Sequence, residues 1–95
     1  NYIIGANARG TNSYGATKGV VYNPDGTIYQ YINNASSSTG GAATSWAVPF
    51  PTEVLTVAAV ASGSAIAVGV ASTTSAVTIT SASATPPCNV YALGR

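Results

Sequence analysis

A length of 95 residues, a formal net charge of +1, 5% charged side chains and no histidine narrow what this chain does. That length makes one domain at most, and the scattered Arg9, Lys18 and Arg95 offer no basic cluster for phosphate, which argues against a nucleic-acid partner. With Cys88 as the one cysteine, no internal disulfide forms, and without histidine no Cys–His pair or His-bound metal arises within a chain.

In chain order, residues 1–15 are rich in Asn and Gly and read as an extended entry arm leading into a domain over 16–95. Lys18–Tyr22 is a short strand. Asn23-Pro24-Asp25-Gly26 then supplies a turn, because Pro presets φ, Asp bonds to nearby backbone and Gly accepts positive φ. Thr27–Ile32 returns as a second strand, rich in β-branched and aromatic residues. Tyr29 and Tyr31 share one face of it, opposite Ile28 and Ile32, so one pair faces the core and the other faces solvent or a neighbouring chain.

Asn33–Ala43 is a polar, low-complexity loop. Thr44–Phe50 is a strand that ends at Pro49-Phe50-Pro51, with Trp46 alternating with Val48 and Phe50 toward the core. Glu53–Ala61 is the longest strand, with Leu55, Val57 and Ala59 on one face and Val54, Thr56, Ala58 and Val60 on the other. Ser62-Gly63-Ser64 turns into Ala65–Ala71, where Ile66, Val68 and Val70 oppose small residues. Val77–Thr80 alternates strictly, and Asn89–Leu93 closes the chain as a last strand, with Tyr91 expected to pack.

Six or seven short strands joined by Gly, Ser and Pro turns are the pattern of an all-β domain, a small antiparallel β-sandwich or barrel-like fold. Large apolar side chains are scarce in it, with one Phe, one Trp and no Met, so a core built from one chain is thin and burial between copies is expected to supplement it. A transmembrane helix is rejected. The uncharged stretch from Val54 to Ala71 is interrupted by Thr56, Ser62, Gly63 and Ser64, and its Val-rich alternation fits two strands. No signal-peptide pattern opens the chain, and a start at Asn1 is the expectation for a C-terminal piece of something longer.

Catalytic chemistry finds few candidates. Asp25 and Glu53 are the only carboxylate side chains; Asp25 reads as a turn residue and Glu53 as a solvent-facing strand start, so nothing points to the paired acids of glycoside hydrolysis. No catalytic residue, metal site or cofactor is expected. Cys88 reads as a small buried hydrophobe. The ligand-binding candidates are aromatic and amide side chains: Tyr14 as the most exposed ring, Tyr29, and Asn33 and Asn34 with the serines that follow them.

Three features occur together and in order. An Asn/Gly-rich entry leads into Pro24-Asp25-Gly26-Thr27 and an aromatic-bearing strand; Trp46-Ala47-Val48-Pro49-Phe50-Pro51-Thr52-Glu53-Val54-Leu55-Thr56-Val57 forms a strand, turn and strand; and the chain ends in Asn89-Val90-Tyr91-Ala92-Leu93-Gly94. Over residues 7–94 this resembles the C-terminal domain of bacteriophage tail-fibre proteins. The middle strands depart from the family in carrying fewer aromatics. The resemblance implies a homotrimer at the distal end of a fibre, part of the virion and assembled in the host bacterial cytoplasm. Its partner would be a host surface glycan (lipopolysaccharide or capsule) or an outer-membrane protein, bound without catalysis, membrane insertion or nucleic acid. A trimerisation cap and a bacterial surface adhesin are the alternative readings.

Overall fold

The computed structural model describes residues 11–63 and 65–95. Eight strands run through them: β1 (Ser13–Tyr14), β2 (Lys18–Tyr22), β3 (Ile28–Ala35), β4 (Ala42–Ser45), β5 (Val54–Ala61), β6 (Val68–Ser72), β7 (Ala76–Ser81) and β8 (Cys88–Gly94). No helix occurs among the described residues. The fold is all-β, as the sequence pattern indicates. The additional strand is β1, in the stretch expected to be an entry arm; residues 1–10, with Arg9, and Ser64 of the expected turn lie outside the described residues.

The strands form two antiparallel sheets, one of five strands in the order β1-β2-β3-β8-β5 and one of three in the order β4-β7-β6. The hairpin β2–β3 pairs Lys18 with Ile32 through Tyr22 with Ile28. Its turn forms as the residues dictate: Gly26 takes φ 93°, and the Asp25 carboxylate accepts from the Thr27 N–H at 2.9 Å and from its hydroxyl at 2.6 Å. Those bonds to Thr27, the side-chain one first, hold the Asp25 carboxyl below its ordinary pKa.

The core lies between the sheets. Val20, Ile28, Ile32, Val90 and Ala92 from the large sheet meet Val77 and Ile79 from the small one. Trp46 and Phe50 complete it, their rings edge to face at 5.3 Å. Full burial of side chains such as Phe50 and Ile79 stabilises by about 1.5–3 kcal/mol each. Cys88 is buried and free.

Two segments differ from the sequence expectation. β4 ends at Ser45 rather than Phe50. Beyond it, the Trp46 indole N–H donates to the Thr73 carbonyl at 3.0 Å and the Phe50 N–H to the Thr74 carbonyl at 2.8 Å, so the segment plugs the core instead of extending a ladder. Pro49 and Pro51 have no N–H for such a ladder. β3 conversely continues through Ala35, because a register shift between Ile32 and Ala35 lets Ala35 pair with Cys88. A second shift, between Val54 and Thr56 against β8, changes the side-chain parity of β5. Val54 therefore turns inward with Val57 and Ala59, while Leu55 is 48% exposed.

Candidate functional site

The four sequence candidates occupy three places. Asn33 is tied down: its side-chain amide donates to the Ala16 carbonyl at 3.0 Å and its N–H to the Thr17 carbonyl at 2.7 Å. Asn34 beside it is exposed and sits at φ 60°, the left-handed region in which Asn is tolerated better than most residues. Its N–H meets Asn89 Oδ1 at 3.4 Å. The kink between the two places their backbone at the point where β3 resumes pairing with β8.

That kink borders a concave pocket of about 220 Å³ lined by Asn34, Ala35, Ser36, Ser37, Thr85 and Pro87. Two connections separated by some fifty residues build it. They are joined at its floor by the buried Ser37 hydroxyl, which donates to the Pro86 carbonyl at 2.6 Å. Ala84, just outside the pocket, is the other non-glycine residue with positive φ among the described residues, at 57°, and its carbonyl accepts from the Ser81 hydroxyl at 2.7 Å. Non-glycine residues in this region carry backbone strain of about 1–2 kcal/mol, and such strain concentrates at functional sites. The lining offers amide and hydroxyl groups and no charge. Asn34 and the following serines were visible as candidates; Thr85 and Pro87 were not, because only β8 pairing with β3 brings them there.

Tyr29 lies elsewhere, on the outer face of the five-stranded sheet. It shares an apolar groove of about 170 Å³ with Thr56, Ala58, Tyr91, Ala92 and Leu93. Burial, then the nearby phenols of Tyr91 and Tyr31, push the Tyr29 phenol above its ordinary pKa. The Tyr31 ring packs where a Cβ on Gly19 would fall, and its hydroxyl donates to the Gly15 carbonyl at 2.9 Å. Glycine at position 19 is what allows that ring to lie flat across β2. Tyr14, on β1, is 70% exposed, as expected from its loop-like surroundings. Tyr91, expected to pack, is 44% exposed, since its pairing with Tyr31 and Ala58 puts it on the outer face.

The carboxylates stand apart from both places. Asp25 is held in its turn, and Glu53 pairs with Arg95 through Arg95 Nε at 2.7 Å. No group of three or more His, Cys, Asp or Glu suited to a metal occurs among the described residues.

Comparison with known proteins places this architecture. A search of curated proteins finds no match. Among solved structures, the chain is similar to the R2 pyocin fibre of P. aeruginosa, in a structure of its C-terminal part, with a TM-score of 0.76 and 26% identity over 90% of this chain and 25% of that one. It is similar to an N-truncated R2-type pyocin tail fibre to the same degree, over 90% of this chain and 37% of that one. The chain thus spans about a quarter to just over a third of those fibre chains. The family described as "Putative tail fiber protein gp53-like, C-terminal" matches residues 22–93, from the end of β2 into β8. The chain belongs to this gp53-like tail-fibre family, as a C-terminal domain.

Proposed function

We propose that this chain is the receptor-binding tip of a tail fibre, a non-enzymatic domain that acts as a homotrimer in a phage or phage-tail-like particle and adheres to a host surface glycan, lipopolysaccharide or capsule. The observation that carries the reading is the uncharged pocket of Asn34, Ser36 and Thr85. Sugar hydroxyls both donate and accept, and an amide with flanking hydroxyls answers both needs. A pocket of about 220 Å³ is smaller than the ~300–1,000 Å³ of most drug-sized sites. It suits one sugar unit at the surface of a longer polymer.

Such a site binds weakly alone, since each neutral hydrogen bond contributes only about 0.5–1.5 kcal/mol net. Three copies on one tip, and several fibres on one particle, convert weak contacts into stable adsorption through effective concentration. The near absence of free charge supports the same reading, because it limits non-specific attraction to charged surfaces. Adhesion without hydrolysis is favoured by the carboxylates: Asp25 is engaged by Thr27 and Glu53 by Arg95. Assembly in the host cytoplasm suits a Cys88 that stays free and buried.

The test is adsorption to host cells by particles whose fibres carry Asn34→Gly with Thr85→Ala. Glycine keeps the left-handed backbone at position 34 and removes the amide. Adsorption is expected to fall by about tenfold or more while fibre assembly is unchanged. Unaltered adsorption by correctly assembled particles overturns the reading.

A further inference from the structure

Among the described residues, no strand or loop packs on the outer face of the five-stranded sheet, where Tyr14, Leu55, Val60 and Tyr91 are exposed. A row of directly paired positions crosses all five strands: Tyr14, Gly19, Tyr31, Tyr91 and Ala58. A second row runs Val21, Tyr29, Leu93 and Thr56. The face also carries relief: the apolar groove between Tyr29 and Tyr91 is a hole, and Leu55 and Val60, 48% and 52% exposed on β5, are knobs beside it.

We propose that this face is where copies of the chain bury against one another, with the β5 knobs of one copy seated in the tyrosine groove of the next. The proposal rests on the reading of the chain as a trimeric fibre tip and assigns the surface that makes it one.

Charge is the first argument. None of the described charged residues stands on this face. Lys18 pairs with Ile32, on the inner parity, and its ammonium reaches the Ser45 carbonyl at 2.7 Å. Asp25 sits in the β2–β3 turn, and Glu53 and Arg95 neutralise one another at the chain end. Identical copies therefore meet here with no like charges opposed among the described residues. A lipid surface is disfavoured by the same fact, since interfacial membrane binding draws on basic residues flanking the apolar ones.

The sheet edge is the second. β5 is last in its sheet, eight residues long and without charge or proline. Solvent-facing edge strands of that length are normally guarded by charge, proline or brevity, because a bare edge recruits other chains. β1, at the opposite edge, is guarded by being two residues long. The register shift between Val54 and Thr56 blunts one end of β5; the run beyond it, 57–61, carries no charge or proline, which is tolerable where another copy covers it.

Area is the third. Its five strands, two to eight residues long and thirty residues in all, at about 4.8 Å spacing and about 3.3 Å per residue, give a footprint on the order of 500 Å². With the relief of four tyrosines this approaches the ~800 Å² of accessible surface that a specific interface takes from each partner. Tyr91, which the sequence pattern expects to be packed, is packed once this face is covered.

The experiment is the mass of the full chain in solution by light scattering, for the wild type, Ala58→Glu and Val60→Lys on this face, and Ala71→Glu on the outer face of the small sheet. Circular dichroism checks the fold of each. The proposal expects a trimeric wild type, a fall to the mass of one chain for Ala58→Glu and Val60→Lys, and no change for Ala71→Glu. Val60→Lys, at a half-exposed position, carries the test if Ala58→Glu does not fold. A trimer that survives both face variants overturns the proposal and leaves the trimeric reading standing. Dissociation by Ala71→Glu alone moves the interface to the other sheet and also overturns it. A monomeric wild type sinks the proposal and the trimeric reading together.

Discussion

Gln30 holds Val48 by both ends of its amide: its NH2 donates to the Val48 carbonyl at 2.7 Å and its oxygen accepts from the Val48 N–H at 3.2 Å. The side chain is wholly buried, so a core position on β3 stands in for the strand that the Trp46–Phe50 segment never forms. Gln30→Leu removes both bonds and leaves a peptide group unpaired beside the core. The Val48 N–H and C=O would each cost about 1–3 kcal/mol if fully buried; at this half-buried residue a combined loss of about 2–4 kcal/mol is expected in denaturant unfolding. Trp46 fluorescence should respond, because its segment is released.

Gly19 makes room for the Tyr31 ring. Gly19→Ala puts a methyl where the ring lies, expelling it and breaking the bond to the Gly15 carbonyl. Forced repacking of this kind costs about 1–3 kcal/mol. Thermal unfolding of Gly19→Ala beside Tyr31→Ala measures it, and Gly19→Ala should add little once Tyr31 is gone.

Asn34 separates backbone from recognition. With φ at 60°, Asn34→Gly should leave stability almost unchanged, whereas Asn34→Ala should lose about 1 kcal/mol to left-handed strain. Denaturation midpoints of the two variants check the difference, independently of adsorption.

The pH dependence has a defined sign at Tyr29. Its phenol is held above the ordinary value of 10.0 by burial first and by Tyr91 and Tyr31 next, so the fold favours the protonated form. That contribution is complete below the unfolded value and is lost as pH rises through the folded one. Tyr29→Phe should flatten this alkaline loss in unfolding curves taken above pH 10.0. At the acid end Asp25 runs the opposite way: its pKa is lowered by Thr27, so what the carboxylate contributes is present above its ordinary value and lost as pH falls through the folded one.

The sequence made the hairpin from Lys18 to Ile32 legible because every signal there is local: a turn with Pro, Asp and Gly, and alternation that separates Ile28 and Ile32 from Tyr29 and Tyr31. Trp46 in the core followed from alternation as well. Leu55 did not, because a register shift between Val54 and Thr56 changes the parity of β5 and leaves no mark in the pattern. The end of β4 at Ser45 depends on Gln30 reaching Val48 across eighteen residues, which no local window contains. The pocket was half legible. Asn34 and Ser36 lie in a polar run that signals exposure, but Thr85 and Pro87 join them only through β3–β8 pairing around Ala35 and Cys88. Tyr91 reads as a core residue by composition and lies outside by register.

The central claim, a glycan site at the junction of the two connections, is tested most directly by nuclear magnetic resonance. Purified host lipopolysaccharide or capsular polysaccharide is titrated into the isotopically labelled chain. The account predicts backbone shifts concentrated at Asn34–Ser37 and Thr85–Pro87 and absent from the Asn34→Gly, Thr85→Ala chain. Shifts confined to other surfaces, or none at saturating polysaccharide, would contradict it.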